Sequence, residues 1–380
     1  MRPVRGGDTW DACVVGAGPA GSMVALLLAE RGLRVALIDR ASFPRPKVCG
    51  SCLNGAAVSY LEEVGLGDFP VRAGAPRLRL LRLLGHGRQA VVPLDSGFAV
   101  SREALDSALV DAARSRGAVF LASTTATLGE LRGDAWELDL RSREGTRTLR
   151  AAVVIGADGL GGSFLARHPA YASRVAGRSK VGLGLHIHAP SAALEDGEIR
   201  MILFPGGYAG LVRLENGLVD LAAAVTPGVL AAQSVDSLLQ GIVNEAGIRD
   251  FDVVTRLRGT PPLTRHRPVV AGTRLFMLGD AAVYVEPFTG EGIAWAMGSA
   301  RLLAPLAEAA CRGWHPALAD AWNRRLREGL GSRYRFSRWV AVALDHPVIC
   351  RSLLAVLGRV PGVTGPVLAN LNRPLSERVV

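Results

Sequence analysis

Asp11-Ala12-Cys13-Val14-Val15-Gly16-Ala17-Gly18-Pro19-Ala20-Gly21, read on to Asp39-Arg40, is the stretch on which the fold turns. A short apolar strand, Ala12–Val15, runs into three glycines and then into a helical run, Ser22–Glu30. Gly16 permits the tight turn, Gly18 lets a pyrophosphate approach the backbone, and Gly21 lets the helix pack closely on the strand. The first N–H groups of that helix face the phosphates. A second strand, Leu33–Ile38, ends at Asp39, 18 residues after Gly21, where an acidic side chain reads ribose hydroxyls. Strand, glycine turn, helix, second strand and acid together predict a bound dinucleotide.

The glycine turn alone does not separate FAD from NAD(P), but two later segments do. Arg274–Leu278 is an apolar strand ending in Gly279-Asp280-Ala281-Ala282, followed by Val283-Tyr284-Val285-Glu286-Pro287-Phe288-Thr289-Gly290-Glu291-Gly292-Ile293 and a helix running from near Gly290 to about Ala309. Asp280 is placed to accept hydrogen bonds from ribityl hydroxyls. The positive end of the helix would point at the flavin pyrimidine edge, where negative charge gathers on reduction. Val153-Val154-Ile155-Gly156-Ala157-Asp158-Gly159, with Ser163 and Arg167 following, is another strand ending in an acidic turn.

Composition sets the outer limits. With 380 residues and 49% hydrophobic side chains, the chain has material for two or three structural units, and neither a repeat nor a low-complexity tract interrupts it. Five cysteines, at 13, 49, 52, 311 and 350, are few and odd in number, so a reducing compartment, the cytoplasm, is expected. The first apolar stretch, Cys13–Ala29, is broken by glycines and Pro19, which fits no secretory signal, and no uninterrupted apolar run reaches spanning length. The formal net charge of +10 comes from scattered arginines without a nucleic-acid module, so it is read as serving an anionic cofactor, not DNA or RNA.

These residues resemble the FAD-binding superfamily that contains the aromatic hydroxylases, the flavin-dependent halogenases and the geranylgeranyl reductases. The likeness covers nearly the whole chain and is strongest to the geranylgeranyl reductases, through Pro46-Lys47-Val48-Cys49-Gly50 and Thr289-Gly290-Glu291-Gly292. It implies flavin contacts at Ala20, Asp39, Cys49, Gly50, Arg102, Ala126, Asp280, Gly292 and Ile293. Gly16, Gly18, Gly21, Arg40, Asp158 and Gly290 complete the expected cofactor-binding set. Two departures stand out: Cys52 replaces a glycine usual in the reductases, and Asp39 stands where most members carry glutamate.

The expected architecture is α/β plus β: a Rossmann-type FAD-binding domain with an inserted antiparallel β-sheet substrate domain and a helical C-terminal segment. The FAD-binding domain would comprise 8–75, 98–177 and 266–313, the substrate domain 76–97 and 178–265, and the cap 314–380. Val181–Ala189, Glu198–Phe204, Tyr208–Leu214 and Leu218–Val225 read as strands, with a hairpin at Asn216-Gly217. Trp314–Val380 is helical, broken at Pro347, Pro361 and Pro366. An ordinary packing helix with a solvated arginine face is expected there; a lid, or peripheral contact with an anionic membrane, is the alternative.

Catalytic candidates are few. Cys49-Gly50-Ser51-Cys52 is a C-x-x-C without a partner pair, so no zinc or other metal site is expected. Two packed thiols are expected, a flavin-coupled redox pair being the alternative. His186 and His188 share one face of a strand and would be structural, or would line the cavity as hydrogen-bond partners or a base. Tyr284, Glu286 and Phe288 are better placed to face substrate. The reaction expected is hydroxylation of an aromatic or polyketide-like, largely apolar small molecule by reduced flavin and O2. Its alternative is saturation of a carbon–carbon double bond in a prenyl or other lipophilic compound, and a non-catalytic prenyl-protein escort is the reading from another class. No nicotinamide-binding domain is visible, so NAD(P)H or a reductase partner would dock transiently. Oligomeric state is not legible.

Overall fold

The computed structural model describes residues 9–286, 288 and 290–375. Asp8 and 376–380, at the ends of the expected domain ranges, and Pro287 and Thr289 in the expected flavin loop lie outside the described residues. The first layer is a sheet in the order Ala271–Gly272, Leu275–Met277, Gly145–Gly156, Thr9–Val15, Val35–Ile38, Val119–Leu121. All its neighbours pair in parallel except the edge strand Ala271–Gly272. All of Val35–Ile38 is buried, as is the second half of Gly145–Gly156, in one core that also takes in the helix Pro19–Glu30 and Leu128, Trp136, Leu138 and Leu140. The first strand starts at Thr9, ahead of Ala12, because Thr9 and Trp10 pair with Arg150 and Ala151. The helix begins at Pro19 and not Ser22: a proline in the first turn loses no hydrogen bond there, so the turn closes sooner. That helix, Pro19–Glu30, is wedged between Arg102–Ser115 and Gly292–Arg312.

Strand Gly145–Gly156 has three strand partners. Its first half pairs antiparallel with Ala135–Ser142, which pairs in turn with Thr125–Arg132, while its second half joins the parallel sheet.

The second sheet runs Asp252–Val253, Val181–His188, Val219–Val225, Gly207–Arg213, Glu198–Phe204, Leu80–Gly85, Arg88–Pro93. Its hairpin turns where Gly217 has φ of 79°. The sheet is antiparallel apart from one seam, Leu80–Gly85 against Glu198–Phe204, which is parallel. Those two strands belong to separate excursions of the chain, so no hairpin fixes their direction. One face packs Leu183, Leu185, Ile187, Leu221 and Val225 on helix Val235–Glu245 through Leu238, Leu239, Ile242 and Val243. The other face carries Gly182, Gly184, Gly210, Ala222 and Ala224 and is shallow.

The C-terminal helices Ala317–Asp345, Pro347–Arg359 and Gly365–Leu371 close the open side, the first two meeting at a bend of 106°. Their base is pinned. Trp322, fully buried, donates to the Met277 carbonyl at 2.9 Å, and Pro347–Arg359 packs on strand Arg88–Pro93. The tail returns to helix Gly55–Glu63: Asn54 donates to the Leu371 carbonyl at 3.1 Å, and the Gly55 N–H donates to Asn372 at 3.0 Å. Asn54 also caps that helix by accepting from the Ala57 N–H at 3.0 Å, worth about 1 kcal/mol. Among the described residues no single helix is long and apolar enough to cross a membrane.

Candidate active site

Where the parallel strands end, a cavity of about 430 Å³ opens between the two sheets and the C-terminal helices. Open α/β sheets bind ligands at this end of their strands. One end is a glycine-and-arginine cradle. Gly16 has φ of 106°, and a Cβ there would overlap the Ala157 carbonyl; a Cβ on Gly21 would overlap the Gly16 carbonyl. Only glycine allows this crossing of two loops over the start of helix Pro19–Glu30. Asp39 is 9% exposed and accepts from the Ala17 N–H at 2.8 Å and the Ala41 N–H at 2.9 Å, so the acid at the end of the second strand holds the glycine turn in shape.

Two guanidinium groups converge on that turn. A Cβ on Gly18 would stand 3.6 Å from Arg45 Nη2 and 3.7 Å from Arg102 Nη2. Asp106, fully buried, anchors both: Arg102 donates to it twice, at 3.0 and 2.8 Å, and Arg45 lies 3.3 Å away. Burial works against the charge on Arg102, but the Asp106 carboxylate outweighs it and raises the pKa. Ser101 caps helix Arg102–Ser115 by accepting from the Ala104 N–H at 3.1 Å and so fixes where Arg102 emerges. Arg45 Nε is buried with no hydrogen-bond partner. Lys47 joins the cluster 3.9 Å from Asp280; burial and then Arg102 push its pKa down. Three cations around a bare glycine turn, one with an orphaned N–H, call for an anion. The pyrophosphate of FAD meets that demand, so the residues present fit the cofactor.

Further along, Val48 rests on Gly184, where an added Cβ would come within 3.1 Å of its side chain. That close approach seats the loop bearing Lys47, Cys49, Gly50 and Cys52 against the second sheet. Asp280 lies on this wall, and its pKa is raised by burial against the opposing pull of Lys47. Helix Gly292–Arg312 begins two residues later than Gly290, with Glu291 preceding it; Glu291 is fully buried and accepts from Trp295 at 3.1 Å and Arg333 at 3.3 Å.

The far end is apolar. Leu83, Val92, Met201, Val340, Leu357 and Leu371 line it, with Gly210, Ala222 and Ala224 keeping the sheet face low. Tyr208, Tyr284 and Phe288 stand between the two ends, the Tyr208 and Phe288 rings edge-on at 5.1 Å. Glu286 lies behind them, ion-paired with Lys180 at 3.1 Å.

The cavity thus gathers Gly18, Ala20, Cys49, Gly50, Cys52, Arg102, Asp280, Tyr284, Gly290, Gly292 and Ile293 from the expected set. Gly16, Gly21 and Asp39 shape the turn from behind. Arg40 and Asp158 lie beyond the lining, in the loop region around Gly161 and Gly162. Burial raises the Asp158 pKa to about 6, with Arg267 opposing. Ala126 is 4% exposed within the Thr125–Arg132 hairpin, opposite Leu140, and does not face the cavity. The histidines do not line it either. His186 turns to Asp220, Nε2 to Oδ1 3.5 Å, and His188 is exposed where its strand leaves the sheet core. Cys49 and Cys52 are both free; the Cys52 thiol donates to the Gly50 carbonyl at 3.0 Å, and burial raises its pKa, which opposes thiolate chemistry. Among the described residues no cluster of three metal-ligating side chains occurs. Arg45, Asp106, Lys180 and Asp345 were not singled out in the sequence. The i,i+4 spacing of Arg102 and Asp106 was the one local signal available.

Comparison with known proteins agrees with this geometry. The family described as FAD binding domain matches residues 9–196. Menaquinone reductase of Mycobacterium tuberculosis is 30% identical over 90% of this chain and 85% of its own. Digeranylgeranylglycerophospholipid reductase 1 of Methanopyrus kandleri is 29% identical over 78% of this chain and 80% of its own. In fold, the p-nitrophenol 4-monooxygenase of Pseudomonas putida DLL-E4 superposes with a TM-score of 0.81 over 98% of this chain and 99% of its own, at 18% identity. FAD is therefore the cofactor of this chain, its substrates are small molecules, and the chain belongs to the family of FAD-dependent oxidoreductases that contains menaquinone reductase and the geranylgeranyl reductases.

Proposed function

We propose that the chain is a flavin-dependent reductase that saturates a carbon–carbon double bond in a long, apolar, isoprenoid-type molecule. The observation that carries this reading is the cavity itself. Among the described residues the charged side chains lining it are Lys47, Arg102 and Asp280, whereas Leu83, Val92, Met201, Val340 and Leu357 belong to a largely apolar remainder. Such a lining suits a hydrocarbon chain, at roughly 0.8 kcal/mol for each methylene withdrawn from water. The relatives nearest 30% identity act, by their names, on menaquinone and on a digeranylgeranyl lipid, molecules that share a polyisoprenoid chain.

FAD would be held by Gly16, Gly18, Ala20 and Gly21 at the turn and by Asp39 and Arg40 toward the ribose. Arg102, with Arg45, would meet the pyrophosphate, and Asp280, Cys49, Gly50, Gly290, Gly292 and Ile293 the flavin end. The reduced cofactor supplies the hydride. The chain's part is to hold the substrate double bond near the Cys49–Tyr284 wall, exclude water with the apolar cap, and supply a proton. NAD(P)H or a reductase partner, docking transiently, would be the electron donor.

The second reading is hydroxylation of an aromatic ring with O2, favoured by the fold-level likeness to a phenol monooxygenase. One experiment separates them. The holoprotein is reduced without oxygen and offered geranylgeraniol or menaquinone, then reduced and offered a phenol with oxygen admitted, and products are weighed by mass spectrometry. Gain of a hydrogen pair by the prenyl compound is expected. Gain of an oxygen atom by the phenol, with the prenyl compounds untouched, overturns the reductase reading.

A further inference from the structure

Behind the cavity wall lies a buried ionic cluster that cofactor binding leaves unused. Lys180 Nζ stands 3.1 and 3.3 Å from the two oxygens of Glu286 and 2.9 Å from Asp345 Oδ1. The Lys180 and Glu286 side chains are 3% and 5% exposed, whereas that of Asp345 is 46% exposed at the end of the long cap helix. On the cavity side, the Tyr208 hydroxyl neighbours the Glu286 carboxylate, and its ring lies 6.0 Å from Lys180 Nζ. Tyr208 is itself 8% exposed and lines the cavity between its polar and apolar ends. The groups come from three distant parts of the chain, and withdrawing such charges from water costs several kcal/mol for each ion. Their order in space is a line: solvent, Asp345, Lys180, Glu286, Tyr208, cavity. A clamp for the cap would need Lys180 and Asp345 alone; it would not need to end on a phenol facing substrate.

We propose that Tyr208 donates the proton that completes double-bond reduction, and that Glu286, Lys180 and Asp345 are positioning residues that return a proton to it from solvent. This rests on the reductase reading. Saturating a carbon–carbon double bond adds one hydride and one proton. One carbon takes the hydride that the reduced cofactor would supply, and the Tyr208 O–H bond breaks as the C–H bond forms at the other. The phenolate takes a proton through Glu286 from the Lys180 ammonium, and Lys180 is recharged from water at Asp345. Burial and the Glu286 carboxylate hold the Tyr208 pKa well above its ordinary value, so the phenol carries its proton throughout the working range. Burial also raises the Glu286 pKa against the pull of Lys180, which brings a transient carboxylic acid within reach. The charged and titratable groups facing Tyr208 are Glu286, Tyr284, Asp345 and Lys180.

The test uses the holoenzyme, reduced without oxygen and mixed with geranylgeraniol in single turnovers across pH, in water and in deuterium oxide. Tyr208→Phe removes one oxygen and is expected to slow reduction about 100-fold or more and to abolish the solvent isotope effect, with FAD content unchanged. Glu286→Gln is expected to slow it about 10-fold and to flatten the pH profile. A second readout needs no turnover: in protein labelled with 13C at the tyrosine Cζ, the resonance lost in Tyr208→Phe should move in Glu286→Gln. If Tyr208→Phe keeps the isotope effect and the pH profile, or if that resonance is unmoved, the donor role is overturned while the reductase reading stands. If the wild-type enzyme reduces no prenyl compound, the reductase reading falls and the donor role falls with it. Should Glu286→Gln fail to fold, Tyr208→Phe decides alone.

Discussion

The two ends of the cavity are built on opposite principles. At the glycine turn, nearly every wall atom is backbone or charge: Gly16, Gly18 and Gly21 bring main chain to the surface, and Arg45, Arg102 and Lys47 are held by Asp106 and Asp280. At the cap end the walls are Leu, Val and Met side chains over a sheet face kept low by glycine and alanine. The first end has directional groups and tolerates little change; the second has volume and tolerates any substitution that preserves it. On the proposal made above, polar catalysis falls at the seam between them, at Tyr208, Tyr284 and the buried pair Lys180–Glu286.

The largest effect is expected at the anchor of the polar end. Asp106→Asn leaves Arg102 buried without its counter-charge and Arg45 with Asp39 alone, 3.7 Å away, a class of change that costs about 3–5 kcal/mol. The phosphates of FAD can replace the lost charge, so the apoprotein should lose more stability than the holoprotein, and added FAD should raise the melting temperature more in the variant than in wild type. Equal losses in both forms would mean that the arginines do not meet the cofactor. Gly16→Ala follows in size. The new Cβ overlaps the Ala157 carbonyl at a φ few other residues adopt, which should cost roughly 2–4 kcal/mol and strip most FAD from the purified protein, read as flavin absorbance per chain.

The same contrast explains what could be read from sequence. The polar end is local: Gly16 to Asp39 fall within one strand–helix–strand unit, and Asp280 and Gly292 lie close together in a second segment, so spacing alone carries their roles. The charges that anchor it are not local. Arg45 finds Asp106 across 61 residues, and Lys180 finds Glu286 across 106. Neither pair lies in a recurrent spacing, because it is the packing of separate elements that brings the charges together. Strand periodicity located Glu198–Phe204 correctly but could not reveal its parallel partner Leu80–Gly85, for no turn joins them. Alternation likewise put His186 and His188 on one face without saying what that face meets; Asp220 occupies the space beside His186.

A smaller effect tests the apolar end. Val92, buried beneath helix Pro347–Arg359, lines the cavity from the edge strand of the second sheet. Val92→Trp should shorten the space for a hydrocarbon chain without touching FAD. Activity on a long prenyl substrate should then fall about 10-fold relative to a short one, with flavin content unchanged. A uniform loss on both chain lengths would place the hydrocarbon elsewhere and blur the division between the two ends.

The smallest effect concerns Asp220, a carboxylate on the cavity-side face of the second sheet that belongs to neither principle. It is 5% exposed, its Oδ2 has no hydrogen-bond partner, and burial pushes its pKa to about 8. A carboxyl group whose folded pKa lies above its unfolded value of about 4 favours the folded state most at low pH. Its contribution is fully present below pH ~4 and is lost as pH rises through about 8, where the buried group must ionise. Asp220→Asn mimics the neutral acid at every pH. The variant should match wild type near pH 4 and melt about 2–5 °C above it near pH 9, in thermal scans of both proteins across that range. A difference that stays flat would mean that Asp220 is already ionised in the folded protein. The sheet face would then carry a standing negative charge 3.5 Å from His186, and the cavity's polar chemistry would extend beyond the seam at Tyr208.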